Sequence, residues 1–123
     1  MASLLYEVKD GIAWIRFNKP EILNAFDADE CRHFVKTLKE AAEDKAVKAI
    51  ILSSVGPAFS AGDDLKAALE EYPHIQSGEI HPILDIVEDI TENLQEIPRI
   101  IRRAPKVVIA AVRGYAVGAG FEI

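Results

Sequence analysis

An α/β fold with parallel strand pairing is what this sequence predicts, and two observations predict it. The runs from Val47 to Ser53 and KVVIAAV after Pro105 are short, apolar and bounded by turn residues, the form of strands buried on both faces. Around them, apolar residues recur with the 3.6-residue period of a helix, and strands that alternate with helices tend to pair in parallel.

LLYEVKDGIAWIRFNKP reads as two strands about Asp10-Gly11, because Asp-Gly supplies the positive backbone torsions of a tight hairpin. Ile12, Trp14, Ile15 and Phe17 are its expected buried positions. Pro20 ends the second strand, and Asp27 with Glu30 three residues on forms a capping box. Cys31, Phe34, Val35, Leu38, Ala41 and Ala42 then mark the apolar face of a helix, with Glu30, Arg32, Lys36, Lys39, Glu40 and Glu43 on its other faces. The strand from Val47 leads into the loop PAFSAGDDL, and Leu65 to Glu71 makes one or two helical turns. Tyr72 to His81 reads as loop. From Pro82, the spacing of Ile83, Ile86, Val87, Ile90, Leu94 and Ile97 predicts a long amphipathic helix that Pro98 kinks or ends. KVVIAAV, expected to be a buried strand, then feeds a stretch with three glycines, Gly114, Gly118 and Gly120.

Composition bounds what the chain can do. At 123 residues, 50% of them hydrophobic, it has enough material for one domain, 1–123, and too little for two. A net charge of -6 offers no basic face for nucleic acid or an anionic membrane. The single cysteine, Cys31, allows no intramolecular disulfide and fits a reducing compartment. No apolar run reaches the length of a membrane span, and MASLLYEVKDG lacks the basic start and cleavage site of a signal peptide. A cytoplasmic protein is expected.

Two loops carry candidate chemistry. In FSAGDDL, Phe59 to Leu65, Gly62 and the N–H groups after it can form an anion-binding concavity; a flexible loop with a helix-capping aspartate is the plainer alternative. Gly118-Ala119-Gly120 is no dinucleotide fingerprint, since Ile123 stands where the third glycine belongs, and no Gly-Lys-Ser/Thr makes it a phosphate loop. A helix N-terminus whose backbone donors stabilise an oxyanion remains, with Glu122 as acid or base, or simply as a complement to the helix dipole. Cys31 sits on an apolar stripe, Ser60 lacks the glycine-flanked elbow of hydrolases, and His33, His74 and His81 have no metal-ligand spacing, so no metal is expected.

In order and spacing, these segments resemble the crotonase superfamily, the enoyl-CoA hydratases and isomerases. FNKPEILNAFD (Phe17 to Asp27), AFSAGDDLK (Ala58 to Lys66) and PKVVIAAVRGYAVGAGFEI are similar to three of its ordered elements, and together they span the chain. The resemblance implies a partial crotonase-type ββα superhelix, a spiral truncated before the C-terminal half and the trimerisation helices. It implies an oxyanion hole built from the backbone N–H groups of Asp63 and Ala119, with Glu122 as one of two catalytic carboxylates. It also implies CoA or substrate contacts from Ala61, Gly62, Asp64, Leu65, Lys66 and Gly118, Lys66 being placed to meet CoA phosphates. The substrate is a coenzyme A thioester and no separate cofactor is called for.

Three departures from the family pattern stand out. Asp63 and Ala119 replace alanine or glycine and glycine, and Glu21 stands where many relatives have a basic residue. The second hydratase glutamate falls in the family pattern after the position of Ile123. A fragment of an enzyme that adds water across a 2-trans-enoyl-CoA is therefore the expectation, its parent a trimer or hexamer, the fragment alone inactive and prone to associate. The alternatives are an isomerase or acyl-CoA hydrolase of the same superfamily, or a non-catalytic oligomerising or CoA-binding module.

Overall fold

In the computed structural model, residues 2–71 and 90–123 are described. The loop expected from Tyr72 to His81, and the start of the helix expected from Pro82, lie outside them. Strands β1 (Leu4–Lys9) and β2 (Ile12–Phe17) form the antiparallel hairpin, with Asp10 and Gly11 at φ 51° and 76° as the Asp-Gly turn requires. Strands β3 (Ala49–Ser54) and β5 (Val107–Ala110) join in parallel, giving the order β1-β2-β3-β5. Two shorter strands that the sequence hid inside loops, β4 (Ala58–Ser60) and β6 (Tyr115–Ala116), pair in parallel as a second sheet. They are too short to show a period of their own.

Helix α1 (Ala28–Glu43) opens with the expected capping box: the Asp27 carboxylate accepts from the Glu30 N–H, and the Glu30 carboxylate accepts from the Asp27 N–H. Its buried stripe of Cys31, Phe34, Val35, Leu38 and Ala41 packs onto one face of the sheet, where Leu4, Ala13, Ile15, Phe17, Ile50 and Leu52 complete a single core. Phe17 sits at its centre, edge-on to Phe26, Phe34 and Phe59 at 5.0, 5.1 and 5.3 Å between ring centroids. Lys106 donates to the Ala41 and Asp44 carbonyls, closing the C-terminal end of α1 and tying the entry of β5 to it. Helix α2 (Leu65–Glu71) stands where expected.

Three expectations are corrected. Successive residues of a strand point to opposite faces, so Ile12 and Trp14 cannot share the core with Ile15 and Phe17. Ala13 is the third buried residue of β2, and Trp14 instead stacks under the Arg16 guanidinium, 5.5 Å from the ring centroid. KVVIAAV is no buried strand: β5 lies at the sheet edge, with Val107 and Ile109 62% and 48% exposed. Pro98 does not end a helix. A π-helical turn (Ile90–Leu94) stops before it, and Pro98 falls in the first turn of α3 (Glu96–Arg103), where a missing N–H costs nothing. Ile97 and Ile100 of α3 are buried against the α1 side of the core.

Candidate active site

The site is positioned by the small β4/β6 sheet. Ala58 pairs with Tyr115 and Ser60 with Ala116, and the Val117 N–H donates to the Ser60 carbonyl at 3.1 Å. Strands ending side by side deliver the loops that follow them, 61–64 and 117–118, to the same place. Gly62 is where they touch. Its φ is +91°, and a side-chain carbon there would lie 2.7 Å from the Val117 carbonyl oxygen and 3.3 Å from the Ala119 nitrogen, so only glycine fits. Gly120 meets the other side of the same junction: a methyl there would sit 2.6 Å from the Ser60 β-carbon.

The backbone around Asp63 is spoken for on one edge only. The Phe26 N–H donates to the Gly62 carbonyl and the Asp64 N–H donates to the Phe26 carbonyl, both at 2.7 Å, a short parallel bridge that leaves the Asp63 N–H on the opposite edge. Helix α4 (Ala119–Glu122) begins at Gly118, φ 54°, whose carbonyl accepts from Phe121 and Glu122. Among the described residues neither the Asp63 N–H nor the Ala119 N–H donates a hydrogen bond. A single turn carries little macrodipole, so any anion held here is held by individual N–H groups.

The remaining predicted residues divide into two kinds. Ala61 donates its N–H to the Leu23 carbonyl, and Asp64 caps α2, its carboxylate accepting from Ala67 at 3.0 Å and its carbonyl from Ala68, as the plainer reading of this loop has it. Leu65, Lys66 and Glu122 are exposed, Leu65 by 73%. Glu21 is exposed on the 3₁₀ turn Pro20–Ile22. His33 lies exposed on α1, whereas His74 and His81 fall outside the described residues. Among the described residues no three His, Cys, Asp or Glu side chains are grouped to hold a metal, and no helix is long and apolar enough to cross a membrane.

The environment of the junction acts on the Asp63 carboxyl. Loss of water around its carboxyl, and then the negative charge of Glu122, raise its pKa above the ordinary aspartate value. The charge of Glu122 therefore reaches Asp63, although one comes from a loop and the other from a helix far along the chain.

Sequence reasoning missed Asn24, which holds the loop from beneath. It is 2% exposed and left-handed at φ 54°, a conformation asparagine tolerates. Its amide donates to the Val55 and Ala58 carbonyls, both at 2.9 Å, and accepts from the Lys19 N–H at 2.7 Å. Ser60, set aside as a nucleophile, is a buried pin: its hydroxyl donates to the Asn24 carbonyl at 2.7 Å and accepts from the Gly62 N–H at 3.1 Å. The cue was its place in FNKPEILNAFD, shortly after a proline-ended strand.

A sequence profile described as enoyl-CoA hydratase/isomerase matches residues 7–123. The chain belongs to the enoyl-CoA hydratase/isomerase family. An enoyl-CoA hydratase/isomerase from Xanthobacter autotrophicus Py2 superimposes with a TM-score of 0.82 at 32% identity, over 98% of this chain and 42% of that one. An enoyl-CoA hydratase from Mycobacterium avium subsp. paratuberculosis shares the fold, with a TM-score of 0.75 at 24% identity, over 98% of this chain and 42% of that one. A trans-2-decenoyl-acyl-carrier-protein isomerase of Streptococcus mutans is 28% identical over 121 residues, 98% of this chain and 43% of its own length. This family member thus spans under half the length of these relatives, and its architecture is a partial crotonase fold.

Proposed function

We propose that this chain carries the thioester-binding part of an acyl-CoA hydratase site, in which a 2-trans-enoyl-CoA takes up water through an enolate. The observation that carries the reading is the pair of N–H groups, Asp63 and Ala119, left without partners among the described residues on either side of the Gly62 junction. Water adding at C3 pushes the double-bond electrons onto the thioester oxygen, and fixed donors aimed at that oxygen lower the barrier by roughly 3–4 kcal/mol each in comparable sites. Glu122 takes the acid–base role, and Lys66 on the exposed first turn of α2 meets the CoA phosphates. The substrate is an acyl-CoA, the location is cytoplasmic, and the protein assembles as a homo-oligomer.

Calorimetric titration with crotonyl-CoA and with free CoA tests this. Saturable binding that is stronger for the thioester is expected; equal affinity for both, or none, would sink the reading. An isomerase is the second reading, favoured by the Streptococcus mutans relative, whose name specifies that reaction on an acyl-carrier-protein thioester. Incubation with a 3-enoyl-CoA separates the two, since only the isomerase converts it to the conjugated ester.

A further inference from the structure

We infer that the outer face of the β1/β2 hairpin is a two-fold contact between copies of this chain, closed by Glu7 of each copy on Arg16 of the other. The inference is independent of the hydratase reading and gives the homo-oligomer one specific contact. It starts from a sheet that is apolar on both sides. The α1 side buries Ala13, Ile15, Ile50 and Leu52. Alternation turns the residues between them to the other face, where Ile12, Trp14 and Ile51 stand although a face left to water is ordinarily polar. Leu5 is 38% exposed there and Glu7 is exposed, while Trp14 and Arg16 are half-buried.

The register arranges four of these side chains. Glu7 pairs with Trp14 and Leu5 with Arg16, so the four form a rectangle, about 4.8 Å across the strands and 6.8 Å along them. One diagonal joins Leu5 to Trp14, the other Glu7 to Arg16. A groove of about 230 Å³ is lined by these four and Tyr6. Among the described residues neither Glu7 nor Arg16 is in an ion pair. Arg16 is already held over the Trp14 ring, 5.5 Å from its centroid, so little of its freedom remains to be lost on docking.

Charge and symmetry select a second copy as the occupant. A two-fold axis along the Leu5–Trp14 diagonal sets Leu5 on Leu5 and Trp14 on Trp14, and it places each Glu7 opposite an Arg16. Facing sheets pack about 10 Å apart, a gap that a glutamate and an arginine together span. That diagonal lies about 35° from the strands, so the two hairpins cross at about 70°, near the orthogonal class of sheet packing. Ile51 then falls over Ile12 of the second copy. A different protein would need an acid and a base at the same diagonal spacing; a second copy has them by symmetry. Such a contact is self-complementary and closes on itself as a dimer.

Charge reversal tests the pairing, with sedimentation over a concentration series as the readout. Glu7→Arg sets arginine against arginine and Arg16→Glu sets glutamate against glutamate, so each is expected to weaken dimerisation by about tenfold or more. An equimolar mixture of the two variants presents opposite charges at both places again, and heterodimers are expected to form. Association through the β5 edge is indifferent to either reversal. Dimerisation unchanged in either variant, or a mixture that stays as weak as its components, overturns the pairing and leaves the homo-oligomer standing. A monomer at every concentration overturns both. Melting curves like that of the unaltered chain identify the variants as folded. Where a reversal does not fold, Glu7→Gln or Arg16→Gln takes its place: weaker dimerisation supports the pairing, and an unchanged constant overturns it.

Discussion

Replacing Gly62 with alanine puts a methyl carbon within 2.7 Å of the Val117 carbonyl oxygen, in a backbone conformation that alanine adopts only under strain. Gly62→Ala is expected to destabilise the chain by about 1–3 kcal/mol and to abolish thioester binding, read by thermal melting and calorimetry. Asp63 makes a pH-dependent prediction of opposite sign. Its raised pKa means that the folded chain holds the proton more tightly than the unfolded one, so stability is lost as pH rises through the folded value. Asp63→Asn should therefore melt higher than the unaltered chain at pH 7, with the advantage shrinking to nothing below the ordinary aspartate pKa. A constant difference between pH 3 and pH 8, about the range that spans the titration, would refute the assignment. Lys19 shows the reverse arrangement. Partial burial works against its ammonium, but the hydrogen bond and charge of Glu30, then Asp27, outweigh that and raise its pKa.

At the scale of elements, the site depends on pieces that contribute no chemistry. Ser60 joins β4 to the Asn24 turn and to Gly62, and Ser60→Ala leaves the Gly62 N–H and the Asn24 carbonyl without that partner. A loss of about 1–3 kcal/mol in denaturant unfolding is expected, with weaker thioester binding because the loop is no longer held. Phe59, 2% exposed and edge-on to Phe17, anchors β4 to the core; Phe59→Ala should cost about 3–5 kcal/mol. Much at this scale was legible. Asp10-Gly11, the Asp27/Glu30 box and the stripe of α1 are local signals, each with its own period or torsion, and each stands where expected. β4 and β6 were not legible, because two or three residues hold no period and acquire strand geometry only by finding each other across the fold.

For the whole molecule, the open edge is the main consequence of the architecture. Val107, Ile109, Val112, Tyr115, Val117 and Phe121 are exposed by 48% to 78%, along β5, β6 and α4. Among the described residues no strand pairs the outer side of β5, and an apolar edge strand invites pairing with another chain. Val107→Lys with Ile109→Lys should lower self-association, measured by sedimentation over a concentration series. Sedimentation of the unaltered chain as a 13.5 kDa species at every concentration would contradict this.

By itself the sequence determined the α/β class, the hairpin, α1 and the two loops that carry Gly62, Asp63, Ala119 and Glu122, because turn torsions, caps and helical periods are properties of neighbours along the chain. Tertiary structure alone decided which face of β2 is buried, that β5 is an edge, and that Asn24 and Ser60 pin the site. It also decided that the charge of Glu122 reaches the Asp63 carboxyl. Those outcomes depend on residues far apart in sequence meeting in space, and desolvation and charge act only once they have met.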